Sequence, residues 1–271
     1  MRPDDGPSAQ PPSHTFLVPA YGNSPYLSDC LESLVRQSTP SGILISSSTP
    51  HDGLFELANR FGAECHIHGP NKGMAHDWNE GLAQIKTDWV TVAHQDDVYL
   101  PGYAERVMRA ARQAHEPSMV FTNYAELVGE DVREHTLLLN IKQVLLMLGF
   151  LGRREISSRW SKMNCLRFGC PIPCPSVTFR TRPGQTHFAD GYHVNMDWAA
   201  WIRKAEEPGG FVWVRDTLMH HRIHAESGTT EGIHEGHRTR EDLEMLCRLW
   251  PRPLAHIIAR TYAIAYSSNE S

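Results

Sequence analysis

In the stretch HQDD, His94 to Asp97, two adjacent carboxylates follow directly on the apolar run WVTVA. Neighbouring aspartates repel each other unless a cation or a ring of donors compensates them, and Mg2+ or Mn2+ held by carboxylate oxygens also draws in phosphates. The pair therefore suits a metal and diphosphate site, although the same residues could form a solvated turn or start the next helix, VYLPGYAERV. A further carboxylate, Asp197 in NMDW, heads a helical pattern, where it can cap the helix or face a cleft. HHRIH, His220 to His224, sets Arg222 two residues before His224. A guanidinium offers phosphate a fork of donors, and an imidazole can ligate a metal or touch a phosphate. His221 is a weaker candidate, and with 16 histidines in the chain most must be ordinary surface or core residues.

Other residues could complete a nucleotide site. VPAYGNSPY follows the first apolar run and brings Pro19, Ala20 and Tyr21 to the same edge, where an aromatic ring can stack on a base. SSSTP, Ser46 to Pro50, offers hydroxyls such as that of Ser47 to a base edge. GPNKGMAHDWN puts Asn71, Lys72 and Gly73 just ahead of a helical pattern, a reasonable place for an anion, although Lys72 could equally be a solvated lysine. Neither a dinucleotide fingerprint nor a Walker loop is present, so a diphosphate would rely on a metal and scattered donors. Trp198 and Trp201 could line the acceptor side as apolar platforms for a sugar, but at helical spacing the core is the preferred reading. Cys165, Cys170 and Cys174 lack the paired knuckles of a structural zinc site and read as free buried thiols.

The elements that must position these residues alternate. TFLVPA, ILISSS, ECHIH, WVTVAH and SMVFTNY are short strand-like runs, most of them separated by helical spacing, which predicts βαβ units and a mainly parallel sheet flanked by helices. In the first helix Leu27, Cys30, Leu31, Leu34 and Val35 share a face, Ser24 can cap it and Pro25 suits its first turn. The second helix carries Leu54, Leu57, Ala58 and Phe61 and stops at Gly62; the third sets Met74, Trp78, Leu82 and Ile85 on one side. NMDWAAWIRKAEE reads as a helix and GGFVWV as a strand, and two amphipathic helices close the chain around Pro251 and Pro253. Residues 1–14, polar and proline-rich, read as a loose tail.

The formal charge of −5 argues against a nucleic-acid partner. The cysteine usage and the start of the chain suit a reduced, cytoplasmic setting. The longest apolar run, VLLMLGFLG from Val144 to Gly152, is well short of the roughly 20 residues of a membrane-spanning helix. Followed by RREISSRW, it could rest on an anionic membrane surface, giving peripheral contact at the inner membrane face; a buried helix with a solvated basic end is the preferred reading.

FLVPAYGNSPYLSDCLESLVRQS, HQDD after a strand, NMDW and HHRIHAESGTT, in that order, resemble an inverting family 2 glycosyltransferase of the GT-A fold, and REDLEMLCRLWP is similar to a bacterial subset of it. The resemblance runs from about Thr15 to the C-terminus. It implies a Rossmann-like nucleotide-binding α/β domain over 15–235, with a nucleotide half to about 130 and an acceptor half from about 131, then a helical extension over 236–271. It implies Asp97 as ligand of Mn2+ or Mg2+, Asp96 near the ribose or a metal-bound water, and Gln95 where an acid is often found. Asp197 matches the catalytic base; His224 matches a histidine near the metal and leaving diphosphate, with Arg222 beside it. Because SSSTP stands where many members have an acid that reads uracil, the donor could be of UDP, dTDP or GDP type. The acceptor is an unidentified hydroxyl, with glycans or lipid-linked glycans of surface polysaccharide assembly as the family-level expectation. A metal-dependent phosphoesterase or nucleotidyltransferase and a non-catalytic nucleotide-sugar binder are the rival readings.

Overall fold

The computed structural model describes residues 14–182, 184–224 and 237–267, without the side chains of 261–267. The predicted tail, save for His14, lies outside the described residues, as do residues 225–230 of the histidine motif; His14 itself opens the first strand. The first half runs β1 (His14–Tyr21), α1 (Leu27–Val35), β2 (Gly42–Thr49), α2 (Leu54–Arg60), β3 (Glu64–Ile67), α3 (Met74–Ala83), β4 (Trp89–Val92), β5 (Val98–Tyr99), α4 (Tyr103–Gln113), β6 (Pro117–Val128) and β7 (Asp131–Arg133). Then come α5 (Leu137–Phe150), β8 (Glu155–Ile156), α6 (Arg159–Leu166), a 3-10 turn (Cys174–Ser176), β9 (Val177–Arg180), α7 (Met196–Glu206), β10 (Gly210–Arg222), α8 (His237–Leu249) and α9 (Arg252–Ser267).

The ten strands of the described residues form one sheet, in the order β3-β2-β1-β4-β9-β6-β10-β5, with β7 on β6 and β8 on β10. The expected parallel pairings hold among β1, β2, β3 and β4, and β6 and β10 also run parallel. The other half supplies the antiparallel part of the mixed sheet, because β9 returns from far along the chain to wedge between β4 and β6. Alternation along the strands feeds a core on each face. Leu17, Val90, Met119 and Phe121 pack with α3, α5, α6 and α7, while Phe16, Val18 and Val120 pack with α1, α2 and α4. Met245, Leu246 and Ala255 of α8 and α9 enter the first of these cores, so the C-terminal helices are built into the sheet's packing.

Local details refine the sequence reading. In α1 Leu27, Cys30, Leu31 and Leu34 are buried, whereas Val35 is exposed. Ser24 Oγ accepts from Tyr26 N at 3.3 Å ahead of the helix, which begins only at Leu27, so Pro25 precedes its first turn. Gly62, at φ +64°, ends α2 as expected: Gly62 N donates to Asn59 O and Ala63 N to Ala58 O, an arrangement that needs the left-handed backbone. In α3 Trp78 and Leu82 are buried, but Met74 at its start is exposed and Ile85 lies past its end.

One pairing matters most for the cleft. β10 runs the length of β6 and its end reaches β5, His220 opposite Val98. Since β5 starts one residue after Asp97, this register brings His221 and Arg222 against HQDD.

Candidate active site

HQDD forms a tight turn off β4: Ala93 N continues the ladder to Leu17 O at 2.7 Å, and Asp97 N closes back on His94 O at 3.2 Å. The turn buries Asp97 completely. Its Oδ1 accepts from Arg222 N and from His221 Nδ1, both at 2.9 Å. Its Oδ2, also buried, has no hydrogen-bond partner among the described residues, and neither has His94 Nε2. His94 Nδ1 lies 3.9 Å from Asp97 Oδ2, while Asp96 Oδ2 accepts from His224 Nε2 at 2.8 Å. His94, Asp96 and Asp97 each offer a ligand atom, all within 4.8 Å of one another. A buried carboxylate oxygen without a partner is costly, and a divalent cation is the group whose chemistry satisfies it.

The electrostatics suit that role. Burial pushes His94 below its ordinary value, against the pull of Asp97 and Asp96. Burial alone would raise Asp96, but His94, His224 and His221 more than offset it and hold the carboxyl below its usual range. For His221 burial works downward, and the charge and hydrogen bond of Asp97 win, raising it.

The neighbouring candidates fall into two groups. Tyr21 projects from the end of β1 and is 64 % exposed, next to half-buried Pro19 and buried Ala20. Gln95 ties that end to the HQDD turn: its Oε1 accepts from Tyr21 N at 3.0 Å and its Nε2 donates to Tyr21 O at 3.3 Å. A carboxylate could not make the second bond, which gives a physical reason for an amide here. Asn71, Lys72 and Gly73 are exposed ahead of α3, with Asn71 Oδ1 accepting from Gly73 N at 2.8 Å. By contrast Ser47 is buried with its Oγ accepting from Thr49 N, so it does not present its hydroxyl to a base; half-buried Ser48 instead donates to Asp77. Arg222 is 9 % exposed and already occupied: Nε donates to Asp96 O at 2.9 Å, its terminal nitrogen lies 3.4 Å from Asp29, and its guanidinium sits 4.4 Å over the Tyr26 ring. In this arrangement it braces the HQDD turn.

Asp197 stands in the first turn of α7, with Oδ1 accepting from Trp198 N at 2.6 Å and Oδ2 3.8 Å from Cys170 Sγ. Burial pushes its carboxyl above the usual range, against the Trp198 N–H bond and the charges of Arg238, Lys142 and His94. Burial raises the Cys174 thiol, and the charges of Asp197 and Asp97 raise it further, so both carboxylates lie within electrostatic reach of that residue. The acceptor expectation for Trp198 and Trp201 is overturned: both are buried in the core, their Nε1 groups donating to Leu166 O at 3.1 Å and Ile172 O at 3.0 Å. The cysteines are free thiols.

Two residues were missed by sequence reasoning. His94 stood inside the stretch that drew attention, but nothing in its spacing shows that its ring turns back toward Asp97. Glu241 of α8 is the other. Its carboxylate accepts from the backbone N–H groups of His193, Val194 and Asn195 at 2.8, 3.0 and 2.9 Å, and Asp242 Oδ1 accepts from Asn195 Nδ2 at 2.7 Å. Glu241 thereby fixes the loop that leads into Asp197. Three such bonds pull its carboxyl below the usual range although burial works to raise it.

The HQDD carboxylates thus stand at the carboxyl end of a sheet strand, the edge at which open α/β sheets bind ligands. Residues 15–176, more than half of the chain, match the family described as Glycosyl transferase family 2, and the chain belongs to it. A segment of 122 residues, 42 % of this chain, is 30 % identical to EpsH of Bacillus subtilis (strain 168), which carries a provisional description as a glycosyltransferase; the match spans only 34 % of that protein. The fold is shared with the mannosyltransferase PcManGT from Pyrobaculum calidifontis, solved with GDP-Man and Mn2+, at TM-score 0.61, 14 % identity, 96 % of this chain and 76 % of that one. It is shared also with S. aureus TarS 1–349 in complex with UDP, at TM-score 0.58, 13 % identity, 91 % of this chain and 69 % of that one. Glucosyl-3-phosphoglycerate synthase from Mycobacterium tuberculosis, solved with Mn2+, UDP and glucosyl-3-phosphoglycerate, gives TM-score 0.54 and 14 % identity over 79 % of this chain and 73 % of that one. The chain thus carries a glycosyltransferase family 2 domain with the GT-A fold of these structures.

Proposed function

We propose that this chain transfers a sugar from a nucleoside diphosphate sugar to an acceptor hydroxyl with inversion, with the donor on the HQDD side and Asp197 as general base. The observation that carries the reading is the buried Oδ2 of Asp97, without a hydrogen-bond partner among the described residues, beside His94 and Asp96. Asp97 and His94 would hold Mn2+ or Mg2+ with Asp96, and the ion would supply positive charge to the departing diphosphate. PcManGT and glucosyl-3-phosphoglycerate synthase with bound Mn2+ support a divalent ion on this fold. Asp96 has His224 to orient it, which leaves its other oxygen for ribose or metal-bound water.

Asp197 takes the acceptor's hydroxyl proton as the acceptor oxygen bonds to the anomeric carbon. The bond from that carbon to the phosphate oxygen breaks on the opposite face, and the nucleoside diphosphate leaves with the electron pair. One displacement gives one inversion. A carboxyl raised by burial is a stronger base than an exposed aspartate, and the α8 clamp on residues 193–195 holds it in place. Exposed Tyr21 would stack its ring on the base, and exposed Lys72 would meet phosphate charge.

The test is a thermal-shift panel of UDP, dTDP, GDP and CDP, each with Mn2+, with Mg2+ and with chelator, on wild type and Asp97→Ala. Metal-dependent stabilisation by one nucleotide, lost in the variant, supports the reading and names the donor class. Absence of any diphosphate effect under every metal condition refutes it.

A further inference from the structure

The apolar run preferred as a buried helix is only half buried. α5 turns Leu139, Leu146, Gly149 and Phe150 inward, and Gly149 lies so close to α6 that an added Cβ would come within 2.8 Å of Cys165 Cα. That contact fixes the helix's rotation. On the other side Leu137, Ile141, Val144, Leu148 and Leu151 follow one another at i, i+4, i+7, i+11 and i+14, each between 48 and 72 % exposed, with Met147 exposed beside them. The one charged side chain of the helix, Lys142, is turned away from this stripe, its Nζ donating to Tyr124 OH at 2.7 Å. Exposed Arg153 and Arg154 follow directly, and α6, packed on α5, opens with exposed Arg159 and Trp160.

We propose that this face of α5, entering by its C-terminal end, docks on an anionic lipid bilayer. An uncharged stripe closed by Arg153, Arg154 and Trp160, on a chain of net charge −5, has the composition of a helix lying in a membrane interface, while Arg159 is paired with Glu206 at 3.1 Å. The acidic residues Glu130, Asp131 and Glu134 stand at the opposite end, beyond a helix about 21 Å long. A second copy of the chain fits less well. The positions flanking the stripe are Leu138, Asn140, Gln143 and Met147, and none of them carries a charge that could set a helix partner or its register. Docking does not require insertion, since among the described residues no helix is long and apolar enough to cross a membrane. The face is next to the candidate site: on its inner side Lys142 holds Tyr124, whose ring lies 6.2 Å from that of His221.

The experiment is co-sedimentation of the full chain with phosphatidylcholine vesicles, with and without phosphatidylglycerol, for wild type, Val144→Glu/Leu148→Glu and Arg153→Glu/Arg154→Glu. Melting temperatures confirm folding, and sedimentation velocity gives the oligomeric state. Wild type is expected to bind the anionic vesicles in a salt-sensitive manner, and each double variant to lose about tenfold or more in partitioning. Should one pair of substitutions prevent folding, wild type and the other pair still decide. The proposal is overturned if wild type binds neither vesicle, if folded variants bind as well as wild type, or if wild type is a dimer that Val144→Glu/Leu148→Glu dissociates without vesicle binding. None of these readouts depends on a nucleotide sugar, so failure here leaves the transfer reaction standing, and the converse holds as well.

Discussion

The two carboxylate regions of the cleft use the same side chain in opposite ways. At HQDD the aspartates sit among imidazoles and backbone donors, and Asp96 is held below the usual carboxyl range. At the head of α7, Asp197 has one backbone donor and a weak thiol neighbour, and burial raises it. The first setting keeps charge in place, as a site for a cation and a diphosphate must. The second makes charge uncomfortable and so favours taking up a proton. What differs is the backbone's approach: β10 delivers donors to Asp97 through its pairing with β5, whereas Asp197 takes its one backbone bond from its own helix, at Trp198 N.

Asp197→Asn should break the contrast most severely. Transfer should fall about 10²–10⁴-fold, while nucleotide affinity stays unchanged, as measured by turnover and by calorimetry. Stability should move the other way. Because its folded value is raised, Asp197 contributes most stability below the ordinary aspartate range and loses that contribution as pH rises through the raised value. The variant should therefore melt above wild type at pH 8 and lose this advantage at acid pH; a lower melting point at pH 8 would contradict the burial argument. Next in size, Asp97→Ala should abolish metal-dependent nucleotide stabilisation and cost about 1–3 kcal/mol in urea unfolding, because Arg222 N and His221 lose their acceptor.

Glu241→Gln sharpens the comparison from a distance. It should cost about 1–3 kcal/mol in stability, since an amide cannot accept as three N–H donors require. Through the displaced loop it should lower kcat more than it raises KM, and Glu241→Asp should rescue less of kcat than of stability. The smallest effect belongs to Tyr21→Ala: about 1–3 kcal/mol of nucleotide affinity if the ring stacks on the base, and no change in melting temperature, because the side chain is exposed.

Much of this was legible from local pattern. Alternating apolar runs and helical spacing gave β1 to β4 with their helices, and Gly62 and the carboxylates at a strand end could be read from type and position. Features made by distant pairing could not be read. β9 follows a run of turn formers and takes its place between β4 and β6 only because their edges are open to it. Glu241 meets the loop before Asp197 only when α8 folds back across 46 to 48 residues of sequence. For tryptophans at helical spacing the core was already the preferred reading over a sugar platform, and burial bears it out. α5 misled differently: its apolar composition suggested burial, but its contact with α6 leaves one side without a partner.

The most direct test of the account is the pH dependence of transfer, read as nucleoside diphosphate release from the donor class that binds, for wild type and Asp197→Asn. Wild-type activity should rise with pH through an inflection above the ordinary aspartate range, and the variant should be slower by about 10²-fold or more without that inflection. A variant that keeps wild-type rates and the same profile would show that another group takes the acceptor's proton.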